Sequence, residues 1–341
     1  MQKNIFFFIL FAAFLSINIF YAQRPNTKNI QLKYIQPPDT PLSKNLKQYT
    51  SRVINLTSFL LPIPFPSQNK VIKLNGYKTA PSFSESDFTI KFVVNSVSYQ
   101  GSPFEVKYSE KINDSVSIEK TGGAYTIEGF LNFSEYVQDV KNNNSLLSKE
   151  GVSVRNKFDS SRFKTYAEAI TAFEKNRDAH LRKLYYTLYN NSLENFIYRI
   201  NDRFGFPLKK SSYKIARGAG RKYDYSDLNE AFNVFDNAMS KYNGIDLTDE
   251  IKNSINRCID IWGNSILEYK PKKRKTRIGD KIIGELHYNI AIAYFVLRDW
   301  NKVYENLAKI KGKKRLRKTS NNFELQTKKM QNRYINQNPL N

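Results

Sequence analysis

The sequence predicts an α+β protein of two domains, in which an antiparallel, sandwich-like β domain is followed by helical hairpins. In the first third of the chain, apolar residues alternate in short runs, as they do in strands with one buried face. Beyond residue 151 they recur every three or four positions, as in amphipathic helices. The 341 residues are enough for two domains that each bury a core.

The first segment of the chain belongs to neither domain. Lys3 precedes an apolar run from Ile5 to Tyr21, and the small residue Ala22 follows it. This order is typical of a secretory signal peptide. We therefore predict a signal peptide over residues 1–22 and export to the periplasm, the cell surface or the medium. An uncleaved N-terminal anchor is the alternative, and no transmembrane helix is expected after the signal.

A β-rich domain is predicted over residues 23–145. Asn75-Gly76 separates two alternating runs, and this dipeptide favours a hairpin turn because both positions accept positive φ. Two more pairs of runs flank Gly101-Ser102-Pro103 and Gly122-Gly123. Short strands with turns about every ten residues are typical of a sandwich or a barrel.

The helical domain is predicted over residues 152–341, after a polar, irregular stretch at 141–151 that we interpret as a linker. One helix face is marked by apolar residues at i, i+3, i+4 and i+7: Leu181, Leu184, Tyr185 and Leu188. Residues 203–226 contain Gly and Pro and are interpreted as an interruption between helices.

The most regular helical hairpin covers residues 284–310, GELHYNIAIAYFVLRDWNKVYENLAKI. Its packing positions are Ile290, Ala291, Tyr294, Trp300 and Leu307. In this spacing the segment resembles a tetratricopeptide (TPR) repeat, in which small residues let two antiparallel helices approach and large ones fill the groove of the next pair. The resemblance implies a scaffold that binds a partner protein on a concave surface. An unrelated helical bundle is the alternative.

The net charge of +23 is concentrated near the C-terminus, where residues 270–341 hold 19 Lys and Arg against 5 Asp and Glu. The candidate basic patch consists of Lys272, Lys273, Arg274, Lys275, Lys313, Lys314, Arg315 and Arg317. Such a field attracts anions. Solvated helix ends are one interpretation, and contact with anionic envelope polymers or lipids is another. Nucleic acid is not an expected partner of an exported protein.

A second candidate anion site is the loop that contains Arg217, Gly218, Gly220, Arg221 and Lys222. Backbone amides beside the glycines could form a nest for a phosphate or a carboxylate. The next helix is predicted to begin with Asp227 as its cap and Glu230 reaching back. A basic turn between helices, without a ligand, is the alternative interpretation.

No catalytic motif is present in the sequence. The two histidines are 107 positions apart, and the one cysteine, Cys258, lies among apolar helical positions. We predict no enzyme, cofactor or metal, and we expect an exported, non-catalytic scaffold of the cell envelope that binds a protein partner. The alternative is a glycan-binding or glycan-hydrolysing protein, with Tyr99, Tyr125 and Phe130 as a sugar platform in the β domain.

Overall fold

The computed structural model describes five stretches of the chain, residues 26–57, 72–113, 116–220, 223–271 and 276–337. Its elements in chain order are β1 (Asn26–Ile35), β2 (Gln48–Asn55), β3 (Lys78–Thr79), β4 (Phe88–Asn113), β5 (Val116–Asp139), β6 (Asn144–Asp159), α1 (Tyr166–Arg203), β7 (Leu208–Arg217), α2 (Ser226–Lys241), α3 (Asp249–Leu267), α4 (Asp280–Leu297), α5 (Trp300–Ala308) and α6 (Arg317–Gln337). A mostly antiparallel sheet is followed by helices, which confirms the α+β fold class.

The chain forms two compact units, and their limits differ from the predicted domains 23–145 and 152–341. One unit is the segment Pro38–Phe206. The other combines the segment that ends at Pro37 with the chain from Pro207 onward. The difference arises because β1 pairs with β7, while β6 and α1 complete the β unit.

The β unit is a mixed five-stranded sheet in the order β3-β2-β4-β5-β6. Strand β2 runs parallel to β3 and β4, whereas β4, β5 and β6 form an antiparallel meander. Helix α1 covers one face, so the second layer is a helix where a sandwich would have a second sheet. The predicted apolar face of this helix is confirmed, since its four residues are buried in the core: Leu181, Leu184, Tyr185 and Leu188.

The prediction of a linker at residues 141–151 is wrong. The segment is a turn followed by the first half of β6, which pairs with β5 from Asp139↔Asn144 onward. The Asp139 carboxylate accepts backbone hydrogen bonds from Lys141 at 3.0 Å and Asn142 at 3.1 Å, and Asn143 adopts a positive φ of 52°. Because β6 is an edge strand with many exposed side chains, its polar composition looks like that of a linker.

The helical unit contains a second sheet of two strands. Strands β1 and β7 pair antiparallel over their full length, from Asn26↔Arg217 to Ile35↔Leu208. Strand β7 lies inside the predicted interruption at 203–226, where Tyr213 and Ile215 are buried and the intervening Lys214 is exposed. That period of two was hidden by the glycines and the proline on either side.

The predicted hairpin at 284–310 is confirmed as helices α4 and α5. Helix α4 ends at Arg298, which adopts the left-handed conformation with φ 62°. Helix α5 is capped by Asp299, whose carboxylate accepts a hydrogen bond from the backbone N–H of Lys302 at 3.1 Å. Helix α4 packs against α3, α5 and β7, and fourteen of its eighteen residues are buried. Among the described helices, none is long and apolar enough to cross a membrane.

Candidate anion-binding cleft

A cleft of about 230 Å³ opens on the helical unit between the first half of α4 and the loop that joins α5 to α6. Nine residues line it: Asp280, Lys281, Gly284, Glu285, Gly312, Lys313, Lys314, Arg315 and Leu316. Four of these side chains are cationic and two are anionic. The cleft therefore has the composition of a site for a small negatively charged group.

Gly284 allows the loop to approach α4 closely. A Cβ atom at this position would lie 3.2 Å from Cδ1 of Leu316, which is tighter than ordinary contact, and 3.4 Å from Cγ of Lys313, at the lower limit of ordinary contact. Leu316 and Ile310 are buried and fix the two ends of the loop. Hydrogen bonds from Lys313 N to Ile310 O at 2.8 Å and from Leu316 N to Lys313 O at 3.0 Å fold it into successive turns.

One carboxylate of the cleft is neutralised locally. Asp280 Oδ1 accepts a hydrogen bond from the Tyr269 hydroxyl at 2.5 Å and another from Lys313 Nζ at 3.0 Å. The bond from Tyr269, and then that from Lys313, hold the pKa of Asp280 below its usual range. Lys313 and Asp280 therefore cancel one another's charge within the cleft.

The other carboxylate, Glu285, forms the floor. Its side chain is only 4% exposed, and Oε1 lies 3.5 Å from an Nη atom of Arg315. Burial raises the pKa of Glu285, and the charges of Arg315 and Lys214 oppose that rise. Arg315 is thus partly neutralised from below, while more than half of its side chain remains exposed to solvent.

Two cations of the cleft remain uncompensated. Lys281 and Lys314 are exposed, and within the described stretches no carboxylate lies within 4 Å of either ammonium group. Because Lys313 is paired with Asp280 and Arg315 with Glu285, Lys281 and Lys314 give the cleft a surplus of positive charge.

The structure brings together only part of the predicted basic patch. Lys313, Lys314 and Arg315 line the cleft, whereas Arg317 begins α6 and is not among the lining residues. Lys272, Lys273, Arg274 and Lys275 lie outside the described residues. Lys281, which the sequence analysis did not single out, lines the same cleft, and an isolated lysine at a helix start carries no signal that would have identified it.

Where the structure describes the predicted anion loop, packing and backbone conformation account for its two glycines. A Cβ atom on Gly218 would lie 1.9 Å from Cβ of Tyr225, so only glycine fits beside that ring. Gly220 has a φ of +146°, which also favours glycine. The guanidinium carbon of Arg217 lies 5.9 Å from the centre of the Phe232 ring, at cation–π distance. Arg221 and Lys222 lie outside the described residues.

The predicted cap at Asp227 is wrong. Helix α2 has Tyr225 at its N-cap, and the Asp224 carboxylate accepts a hydrogen bond from the backbone N–H of Ser226 at 2.8 Å. Asp227 instead binds both Nη atoms of Arg277, at 2.6 and 2.8 Å. A guanidinium offers a carboxylate two parallel hydrogen bonds, which a single backbone N–H cannot match.

Arg277 is the centre of a network that joins three parts of the helical unit. Besides Asp227 of α2, it donates hydrogen bonds to Glu268 after α3, through Nε at 2.8 Å, and to the backbone oxygen of Asp224 at 3.1 Å. Ser265 of α3 donates to Asp227 at 3.0 Å. Fifty positions separate Arg277 from Asp227, so no local pattern in the sequence reveals the pair.

The three aromatic residues of the predicted sugar platform do not meet on one surface. Tyr125 is 3% exposed and packs among Phe158, Phe163 and Phe173 in the core. Tyr99 stands opposite Gly129, one position before Phe130 on β5, so Tyr99 and Phe130 point to opposite faces of the sheet.

His287 and Cys258 are packing residues. Nδ1 of His287 lies 3.0 Å from Oδ1 of Asn306, and burial lowers the pKa of this histidine. Cys258 is fully buried, and burial raises the pKa of its thiol to about 12. A thiol in that state is a poor nucleophile at neutral pH. Across the described stretches, no three His, Cys, Asp or Glu residues are grouped as metal ligands.

Comparison of the sequence with protein-family models and with curated proteins finds no match. Any functional assignment therefore rests on geometry and chemistry. The structure offers two features for such an argument, the cationic cleft of the helical unit and an exposed extension of the sheet in the β unit.

Proposed function

We propose that the protein is an exported, non-catalytic binding and assembly component of the bacterial cell envelope that holds a partner protein. The observation that carries this proposal is a two-stranded extension of the sheet, residues 104–113 of β4 with residues 116–124 of β5, which we call the β arm. Export and envelope location follow from the signal-like segment 1–22, which lies outside the described residues.

The β arm extends past its neighbouring strands. Strand β2 stops pairing with β4 at Asn55↔Val94, and β6 stops pairing with β5 at Asp159↔Thr126. Strands β4 and β5 nevertheless continue together to Asn113↔Val116. At about 3.3 Å per residue, the ten residues of the β4 side reach about 30 Å. An isolated two-stranded ribbon is only marginally stable in water, so an arm of this length is best explained by a surface that covers it.

The arm carries apolar side chains that solvent reaches. Phe104 is 44% exposed, Ile112 is 62% exposed and Ile118 is 39% exposed. The pairing register places Phe104, Val106 and Ile118 on the same face, together with the ion pair of Glu110 and Lys120. Exposed apolar side chains beside an ion pair on an extended ribbon suit docking against another protein.

The base of the arm is fixed by the strand-to-helix connection of the same unit. The guanidinium carbon of Arg162 lies 3.5 Å from the centre of the Tyr108 ring. Phe163 and Gly123 exchange two backbone hydrogen bonds, at 2.7 and 3.2 Å. The arm is therefore anchored as far as Tyr108, and its outer half extends beyond these contacts.

The TPR-like hairpin has a different part in this proposal. Such repeats bind partners through exposed helix faces, but α4 is buried on almost every side. In our proposal α4 and α5 form the core of the helical unit, and any partner surface there belongs to the outer helices. The helical unit also carries the cationic cleft, and this cleft suits anionic envelope material better than it suits a partner protein.

Site-specific photo-cross-linking tests the proposal. A photoreactive phenylalanine replaces Ile118 of the arm, and the control replaces Tyr186, which is 55% exposed on α1. In intact cells we expect one defined adduct from position 118 that position 186 does not give. Identical adducts from both positions would contradict a role for the arm. Turnover on an envelope polymer that a carboxylate substitution abolishes would overturn the non-catalytic assignment.

A further inference from the structure

The geometry of the helical unit points to a second binding function, independent of the arm: we propose that the cleft binds the dianionic phosphate group of a phosphomonoester, held by Lys281, Lys314 and Arg315. The site is built from two elements, since Lys281 belongs to α4 while Lys314 and Arg315 belong to the loop before α6. Gly284 lets the two elements come close enough to share a ligand.

The net charge of the side chains that line the cleft favours a ligand with two negative charges. Lys313 is matched by Asp280 and Arg315 is offset by Glu285, which leaves the two ammonium groups of Lys281 and Lys314. A phosphomonoester has a second pKa near 6 and carries close to two negative charges at neutral pH. A phosphodiester or a carboxylate carries one, and it would leave part of this surplus uncompensated.

Arg315 has hydrogen-bonding capacity to spare. A guanidinium has five N–H donors, and the 3.5 Å separation from Glu285 is longer than the 2.7–2.9 Å of a good charge-assisted bond. A phosphate oxygen at the mouth could therefore receive hydrogen bonds from Arg315 without displacing a strong internal pair. The two lysines would add point charges on either side.

The size of the cleft limits what it can hold. A volume of about 230 Å³ falls below the roughly 300–1,000 Å³ of pockets that enclose a drug-sized ligand. The cleft accommodates a phosphate with the first atoms of its substituent. The remainder of the molecule would project into solvent or into a membrane.

The binding test uses inorganic phosphate as the probe, with titration calorimetry on the protein at about 0.15 M salt, where charges more than about 8 Å apart are screened. The K281A/K314A double variant should lose affinity by about tenfold or more, because two adjacent charges disappear. The K318A/K328A double variant removes the same charge from α6, outside the cleft, and should stay within about twofold of the parent.

A third variant should raise the affinity for phosphate instead of lowering it. Glu285→Gln keeps the size of the floor residue but removes its negative charge, so phosphate affinity should rise severalfold. Thermal unfolding of each variant verifies that the fold is kept. Equal losses in K281A/K314A and K318A/K328A, or no measurable phosphate binding by the parent protein, would overturn the proposal.

Vesicles separate the two sources of the phosphate group. Phosphatidic acid presents a phosphomonoester, phosphatidylglycerol presents a diester, and phosphatidylcholine has no net charge. Sedimentation with phosphatidic acid vesicles alone, lost in K281A/K314A, would assign the site to a lipid headgroup. Phosphate binding in calorimetry without preference for those vesicles would assign it to a soluble phosphomonoester. Binding to both anionic vesicles that K281A/K314A and K318A/K328A weaken equally would overturn the site.

Discussion

Arg277 is the residue on which the arrangement of helices α2 and α3 depends most directly. Its guanidinium is 19% exposed and connects Asp227, Glu268 and the backbone of Asp224. Burial, the largest single effect, tends to raise the pKa of Asp227, but hydrogen bonds from Arg277, the Leu228 backbone and Ser265, together with the charge of Arg277, outweigh it and hold that pKa below its usual range. The pair therefore favours the folded state when the carboxylate is ionised.

Arg277→Ala should lower the free energy of unfolding by about 2 kcal/mol, because charge-assisted hydrogen bonds contribute about 1.5–3 kcal/mol and Asp227 loses its partner. Denaturant unfolding at neutral pH measures this change. Arg257→Ala is the matched control. It removes an exposed partner of Glu230 and should cost less than about 1 kcal/mol.

The pH dependence of the stability of Arg277→Ala tests whether the ion pair with Asp227 causes the loss. A depressed carboxyl pKa contributes stability that is present above the unfolded value, about 3.9 for Asp, and that is lost as pH falls through the folded value. The difference between the parent protein and Arg277→Ala should therefore shrink as the pH is lowered below about 4. A difference that stays constant down to pH 2 would contradict the ion pair as its cause.

At the scale of elements, asparagine side chains substitute for missing strand neighbours. In the helical unit, Asn289 of α4 accepts a hydrogen bond from Ala216 N at 3.0 Å and donates one to Ala216 O at 2.9 Å. In the β unit, Asn201 of α1 accepts from Asn75 N at 2.8 Å and donates to Lys73 O at 2.8 Å. Ala216 pairs with Thr27 of β1 on one side only, and Asn289 binds its backbone from the other side, whereas Lys73 and Asn75 lie outside the strands.

Asn289→Leu should destabilise the protein by about 3 kcal/mol, because it leaves the buried N–H and C=O groups of Ala216 unsatisfied and each costs about 1–3 kcal/mol. Chemical unfolding measures the loss. Asn132→Ala is the control, since its amide donates to Ser96 in an exposed contact. The expectation fails if both variants lose the same stability.

The elements that the sequence predicts are those whose pattern of apolar and small residues lies within one short stretch of the chain. The apolar stripe of α1 lies within one helix, and the hairpin of α4 and α5 is marked by closely spaced small and aromatic residues and by Asp299. Strand β7 and the start of β6 were missed because polar or turn-forming neighbours masked their alternation. An exposed edge strand and a linker have similar compositions, and only pairing distinguishes them.

At the scale of the whole molecule, the boundaries of the two units depend on long-range pairing. Strand β1 pairs with β7 across about 180 positions, so the first described strand belongs to the helical unit. No spacing rule in one sequence predicts such a contact. The cleft is hidden for the same reason, because Lys281 and Lys314 approach one another only when the loop before α6 packs on Gly284.

The β arm likewise becomes visible only when strand lengths are compared across the sheet. Glycine and turn residues at 101–103 and 122–123 indicated separate short strands, whereas β4 and β5 continue through both positions. Position 123 requires glycine, because a Cβ atom there would lie 2.7 Å from Cβ of Ala169 at the start of α1. The residues that the sequence predicts as turns therefore lie at the base of the β arm, on which the proposed function depends.

The most direct measurement is recovery of the partner complex by a protein whose arm is shortened. Replacing residues 107–121 with Asn-Gly closes β4 and β5 at the pair Val106↔Gly122 with a two-residue turn and leaves the rest of the sheet paired. With a photoreactive phenylalanine at position 104, which both proteins retain, we predict that the shortened protein keeps its thermal unfolding transition within a few degrees and loses the partner that the full-length protein captures. An unchanged amount of the same partner, recovered with the arm shortened, would contradict the account.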